Sequence, residues 1–238
     1  MITPYTGAIP TAQVKKGSKG ENVKRVQTFL NWSIKAKLTV DGVCGSNTVK
    51  AIKKWQGRYG LKKDGVFGSK SRAMAKYLVK MQPWIKALYD QYVWSKNQKY
   101  DFDDHPTVAN SKKRGTCITG PNVALQRLGI MPSGDYVYYN PSKNRLWGSG
   151  KNYVLNHKDV YEYSYPHKTI KQLIAEGKIK PFDIVCYDDP KYHTQVWAGL
   201  NIKGEPIFIS MGSTKKYGKT YSYYADRKVD MIIRIKKI

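Results

Sequence analysis

The octapeptides DGVCGSNT, from Asp41, and DGVFGSKS, from Asp64, are near copies of each other. A short internal repeat constrains a fold more than composition does, because both copies must make the same turns with the same neighbours. Asp-Gly favours a tight turn in which glycine takes positive φ, and the second glycine of each copy permits close backbone approach. Each copy follows a helix-like stretch with a hydrophobe and a glutamine, Val26-Gln27 in the first and Trp55-Gln56 in the second. The segment AIKKWQ spaces its apolar residues at helical intervals, with Asn47 or Thr48 expected as its cap. Upstream, Ser18 and Glu21 have the S-x-x-E spacing of a capping box for a helix carrying Val23, Val26 and Leu30. Cys44 occupies the repeat position that holds Phe67, which predicts a packing role for it.

The run VKKGSKGENVKRVQTFLNW, continued by LTVDGVCGSNTVKAIKKWQGRYGLKKDGVFGSKSRAMAKYL, resembles a peptidoglycan-binding domain of the three-helix type. The resemblance covers residues 10–80 and implies a wall anchor over residues 1–80 without chemistry of its own. Trp32, Trp55 and Tyr59 are aromatic candidates for stacking on sugar. Trp55 suits a core better, which leaves Trp32 and Tyr59 as the substrate-binding candidates. Residues 81–99 follow as an expected linker helix, with Trp84, Leu88 and Tyr92 on one face after Pro83.

Lysine and arginine number 42 against 17 acidic residues, a formal charge of +25. Such a charge favours polyanionic partners, among them nucleic acid and a cell wall bearing teichoic acids. The run KKYGKTYSYYADRK interleaves lysine and tyrosine as a nucleic-acid surface does, but no nucleic-acid motif accompanies it, and a solvated basic loop is the simpler reading. No nucleic acid is therefore expected as partner. No apolar run approaches the length of a membrane span. MITPYTGAIPT lacks the charged and apolar regions of a secretory signal; with the wall-binding module the chain resembles a phage endolysin, which implies accumulation in a host cytoplasm before action at the wall.

The three cysteines, Cys44, Cys117 and Cys186, do not form an even framework, and CxxC and HExxH are both absent. Neither a metal nor another cofactor is expected. Cys186 alternates with Ile184 on a strand and reads as core. Cys117, in KRGTCITGPNVALQRLGI, precedes a helical stripe of Val123, Ala124, Leu125 and Leu128 closed by Gly129. Thr169 caps a second short helix, and strands follow at 182–187, 192–200, 206–211 and 229–235. Helix then sheet predicts an α+β fold.

Two segments of this half, residues 100–238, carry a second resemblance. IKPFDIVCYDDPKYHTQVWAG is similar to the "kpGDIv…H(V/T)xVyaG" stretch of NlpC-type cysteine peptidases and the related CHAP amidases. KRGTCITGPNVALQRLGI resembles their nucleophile segment. The resemblance implies a papain-like domain, with Cys117 as nucleophile and His193 as base. It also implies an endolysin-like peptidoglycan hydrolase, in which cleavage of the stem peptide by an endopeptidase is favoured over an N-acetylmuramoyl-L-alanine amidase. A wall-binding protein without catalysis is the other class open to such a chain. His105, His157 and His167 have no motif support. Two departures stand out. Pro121 cannot donate to a carbonyl four residues back, so the helix is expected to begin near Gly120-Pro121 with Cys117 in a turn before it. The third catalytic position falls on Ser210, if a turn at Leu200–Lys203 pairs Gly199 with Gly204 and so sets His193 opposite Ser210.

Overall fold

A computed structural model describes residues 3–96, 102–103, 114–115, 117, 119–187, 193–209, 220–221 and 226–238. The chain divides into two compact units, one of residues 3–82 with 200–205 and one of residues 83–199 with 206–238. The whole is α+β, with helices in the N-terminal region and an antiparallel sheet in the C-terminal part.

The smaller unit is built on three helices, α1 (Glu21–Ile34), α2 (Ser46–Arg58) and α3 (Ser69–Lys80). Its repeat is enforced by two buried glutamines. Gln27 Nε2 donates to Asp41 Oδ1 at 2.7 Å and to the Val43 carbonyl at 3.2 Å, while Gln27 Oε1 accepts from Gly42 N–H at 3.0 Å. Gln56 repeats the set on Asp64, Val66 and Gly65 at 2.8, 3.0 and 3.0 Å. Each amide thus satisfies a turn whose glycine sits at φ +76°. The aspartates bind glutamine and the backbone two residues on, and these hydrogen bonds hold their carboxyls below the usual range. Cys44 and Phe67 are both buried, at 1% and 0% exposure, as their shared repeat position predicts.

Two expected caps are absent. Gly20, at φ +97°, and Gly45 hold the N-cap positions without a side-chain cap. Ser18 Oγ accepts from Lys15 N–H at 3.0 Å instead, and Thr48 is buried, accepting from Gln27 at 3.3 Å. Glycine at the N-cap offers no side-chain oxygen, and only its carbonyl takes part, accepting from Lys24 N–H at 3.3 Å in α1 and from Val49 N–H at 3.1 Å in α2.

The larger unit begins with α4 (Gln82–Lys96), whose Trp84 and Leu88 are fully buried. Trp84 Nε1 donates to the Phe182 carbonyl at 3.0 Å. β1 (Phe102–Asp103) and β2 (Arg114–Gly115) pair in parallel, and α5 (Thr119–Arg127) follows. A hairpin of β3 (Tyr138–Asn140) and β4 (Arg145–Trp147) leads to α6 (Lys151–Asn156). Then come β5 (Tyr161–Ser164), β6 (Lys168–Thr169) and α7 (Ile170–Ala175), which Thr169 and Gln172 start with a full capping box. The chain closes with β7 (Ile184–Tyr187), β8 (His193–Leu200), β9 (Pro206–Ile209), β10 (Thr220–Tyr221), β11 (Lys228–Val229) and β12 (Met231–Ile235). The main sheet runs β10-β9-β8-β7-β12-β5. All described residues of β7 and β12 are buried, so both faces of the central strands are covered.

Candidate functional site

Cys117 lies in a turn two residues ahead of α5 and is partly buried. Pro121 is the third helical residue, where its missing N–H is one that no helix satisfies internally, so the helix tolerates it. The helix ends in a Schellman-type closure, with Gly129 at φ +68° and Ile130 N–H bonded to the Leu125 carbonyl at 3.2 Å. Asn122 fixes α5 to the segment before β3. Its amide donates to the Val137 carbonyl at 3.0 Å, and its oxygen accepts from Val137 N–H at 2.9 Å.

The sheet face beneath α5 follows from the register. Cys186 pairs with Met231 and Thr194, Ile184 with Ile233 and Val196, and Ile233 and Ile235 pair with Tyr163 and Tyr161. Opposed residues share a face. On that face the Tyr161 hydroxyl donates to the Ile130 carbonyl at the end of α5. Thr194 Oγ1 lies 3.6 Å from Cys186 Sγ. Burial pushes the Cys186 thiol up to about 12, against hydrogen bonds from Thr194 and the Tyr139 backbone, and the nearby Cys117 and Asp230 raise it further. Cys186 is therefore an inert core thiol that neighbours Cys117.

His193 opens β8 opposite Tyr187, one residue from Thr194. Cys117 is near enough to Cys186 to raise its thiol, and Cys186 stands one residue before Tyr187, the strand partner of His193. Strict alternation assigns Thr194 to the Cys186 face and His193 to the other. His193 pairs with Tyr187 at the end of β7, and a direct thiol–imidazole contact requires its ring to turn around the end of that strand.

His193 keeps some exposed surface, yet desolvation pushes its imidazole down to about 4. It is neutral at pH 7. Between pH 6.5 and 4 the unfolded chain takes a proton that the folded chain refuses, so this contribution is complete above pH 6.5 and lost as pH falls. The loss reaches about 3 kcal/mol at most. Asp183 acts oppositely, since its carboxyl is raised to about 6. We therefore expect urea titrations from pH 7 to 4.5 to show a shallower acid loss in His193→Gln than in the parent. Parallel curves would show that the ring is not desolvated.

Ser210 lies outside the described residues, as does His105. The turn on which its assignment rested is placed differently. Asn201 N–H bonds to the Glu205 carbonyl at 2.8 Å and Gly204 N–H to the Asn201 carbonyl at 3.1 Å, so Asn201 and Glu205 close the hairpin rather than Gly199 and Gly204. The Asn201 side chain drives this, accepting from Lys203 and Glu205 N–H at 2.9 and 3.0 Å. His157 stacks on Tyr153 and His167 pairs with Asp230 at 3.0 Å. Among the described residues no group of three or more His, Cys, Asp or Glu is placed to hold a metal.

In the smaller unit, Tyr59 is 7% exposed and packs edge-on against Trp55, so it is a core residue and no platform for a ligand. Trp32 is partly exposed. Its Nε1 donates to the Thr3 carbonyl at 2.8 Å, and its ring leans on Tyr5 and Phe29. Two grooves, unforeseen from sequence, open at equivalent places of the repeat. One of about 570 Å³ is lined by residues including Gln27, Asp41, Thr48 and Lys50, and one of about 480 Å³ by Gln56, Asp64, Ser71 and Arg72. The first also takes in residues 34–39, an insertion closed by Asn31, whose side chain bonds both the N–H and the carbonyl of Leu38 at 2.7 and 2.8 Å.

Residues 19–74 match the family model of the peptidoglycan binding domain. The SleB N-terminal domain is similar at 32% identity over 31% of this chain and 100% of that one, with a TM-score of 0.29. A Burkholderia AP3 phage endolysin is similar at 17% identity over 69% of this chain, with a TM-score of 0.27; the match spans only 49% of the endolysin's length. No curated protein matches the sequence. No helix among the described residues is long and apolar enough to cross a membrane.

Proposed function

From the peptidoglycan-binding domain that the chain carries at its N-terminus, we infer an enzyme that acts on the bacterial cell wall, with residues 100–238 as a papain-like cysteine hydrolase domain. The observation that carries the reading is Cys117, a partly buried thiol just ahead of a helix and beside the strands that end at His193, in a chain whose other unit binds the wall. In this reading the chain collects in the host cytoplasm and acts when it reaches the wall. The +25 charge supports adsorption to an anionic wall, teichoic acids included.

The reaction is cleavage of an amide in the stem peptide. His193, neutral at pH 7, takes the thiol proton, and the Cys117 thiolate adds to the amide carbonyl. In this reading backbone N–H groups near the start of α5 hold the oxyanion. Collapse breaks the C–N bond, and the imidazolium gives its proton to the leaving amine. Water then attacks the thioester with His193 as base, releasing the acid and restoring the thiol. Because desolvation disfavours the imidazolium, the ion pair forms during the reaction instead of being stored at rest.

Digestion of purified peptidoglycan with mass analysis of the fragments tests the reading and names the bond. New amino termini within the stem peptide are expected, as from an endopeptidase. Free stem peptides beginning with alanine would make the enzyme an amidase. Cleaved sugar–sugar bonds, or no cleavage with binding retained, would sink the thiol mechanism.

A further inference from the structure

We propose that the outward face of the β3–β4 hairpin, which is tied to the helix that follows Cys117, is a subsite for the carboxylate-bearing glycan of peptidoglycan; the proposal rests on the wall-directed reading above. Tyr138 and Trp147 are paired in the register, as are Tyr139 and Leu146. Tyr139 and Leu146 are buried, so Tyr138 and Trp147 look outward, each partly exposed. Tyr136 extends the row, stacked on Tyr138 with centroids 6.0 Å apart and planes 12° apart. Two cations join it, the Arg145 guanidinium 5.4 Å and the Lys151 ammonium 5.8 Å from the Trp147 ring centre.

Two stacked tyrosine rings and a tryptophan on the same hairpin face offer apolar surface with polar edges, which suits the C–H faces of sugars. The two cations suit a carboxylate carried on the same ligand, as on a lactyl group or a stem peptide. Neutral glycan would leave them unused.

The row is rigid before any ligand arrives, which lowers the entropy lost on binding. Gly150 N–H donates to the Tyr136 carbonyl at 3.0 Å, and Tyr136 N–H to Ser149 Oγ at 3.3 Å. A Cβ at Gly148, which sits at φ +108°, would lie 2.2 Å from the Tyr136 carbonyl oxygen, so only glycine closes this loop. The hairpin is also tied to the elements that carry the thiol. Val137 is bonded both ways to Asn122 of α5, and the Tyr139 backbone hydrogen-bonds Cys186, the neighbour of Cys117.

The test is calorimetric titration of the full chain, in a Cys117→Ala background that prevents turnover, with N-acetylmuramyl dipeptide and with uncharged chitotetraose. Trp147→Ala and Tyr138→Ala should each weaken muramyl dipeptide about tenfold or more. Arg145→Gln with Lys151→Gln should weaken it about as much while leaving chitotetraose unchanged. Trp147→Phe should restore affinity to within about threefold, and melting curves confirm that each variant folds. In the thiol-bearing enzyme the same changes should raise KM on muramyl-linked stem peptide and leave kcat unchanged. Parent-like affinity in every variant overturns the proposal. So does tighter binding of oligo(dT) that the same variants lose, which would make the face a nucleic-acid surface. If the parent cleaves nothing but the variants still lose muramyl dipeptide, the hydrolase reading fails and the subsite stands.

Discussion

Replacing Cys117 by alanine should abolish wall cleavage and leave wall adsorption as it was. The peptidoglycan-binding match ends at residue 74, and in the proposed reading cleavage belongs to residues 100–238. Removing one sulfur from a partly buried turn creates little cavity, so the variant should fold. If the proposed mechanism holds, loss of this thiol should cost about a thousandfold or more in rate, because water and the remaining site cannot replace a covalent route. His193→Ala should fall by a similar factor and should not add to it, as expected of groups acting on one proton. Cys186→Ala should keep its activity apart from lost packing, because that thiol is pushed up to about 12 and is 1% exposed. Iodoacetamide should accordingly label Cys117 alone in the native protein and block lysis, while EDTA has no effect. Near-parental lysis by Cys117→Ala would end the thiol mechanism. Lysis retained by His193→Ala but lost in Thr194→Ala would show that strict alternation of β8 holds and that His193 faces away from the thiol.

The repeat was legible because its contacts are short in sequence. Gln27 reaches Asp41 and Gln56 reaches Asp64, and Asp-Gly announces each turn. The caps were misread for a related reason. A serine or threonine three residues before a helix interior has the right spacing whether its hydroxyl serves its own backbone or a neighbouring helix. Thr48 serves Gln27, which no spacing rule reveals. Pro121 placed Cys117 ahead of the helix correctly, since the rule is steric and local. The β8–β9 register was lost to a single side chain, Asn201, which captures two backbone N–H groups and moves the turn. The β3–β4 hairpin escaped notice because strands of three residues are too short for alternation to rise above the surrounding tyrosines. Arg234, in the apolar run VDMIIRI, gave no hint of a carboxylate partner 51 residues away.

That arginine should be the costliest residue to remove from the larger unit. Arg234 forks onto Asp183, Nε to Oδ1 at 2.9 Å and Nη2 to Oδ2 at 2.7 Å. It also reaches Glu162 at 3.2 Å and the Lys178 carbonyl at 3.0 Å. Asp183 is wholly buried in the FDIV segment, where Phe182 takes φ +71° at the position glycine holds in the resembled motif. Its carboxylate accepts from Lys180 N–H at 2.8 Å, and its carbonyl accepts from Trp197 N–H at 3.0 Å, so the pair anchors the junction of β7, β8 and β12. Burial raises the Asp183 carboxyl to about 6 even against the guanidinium. Without Arg234 only the Lys180 N–H and the Lys180 charge still oppose burial, and the acid must either stay charged without its main partner or take a proton. Arg234→Ala should therefore lose about 3–5 kcal/mol at pH 8, measured by urea unfolding. The deficit should shrink at pH 5, because a protonated Asp183 no longer needs a cation. Asp183→Asn combined with Arg234→Met should lose clearly less than Arg234→Ala alone, since neither partner is left charged in the interior. A loss below about 1 kcal/mol for Arg234→Ala, equal at both pH values, would mean that water reaches Asp183 and that the junction is held by packing alone.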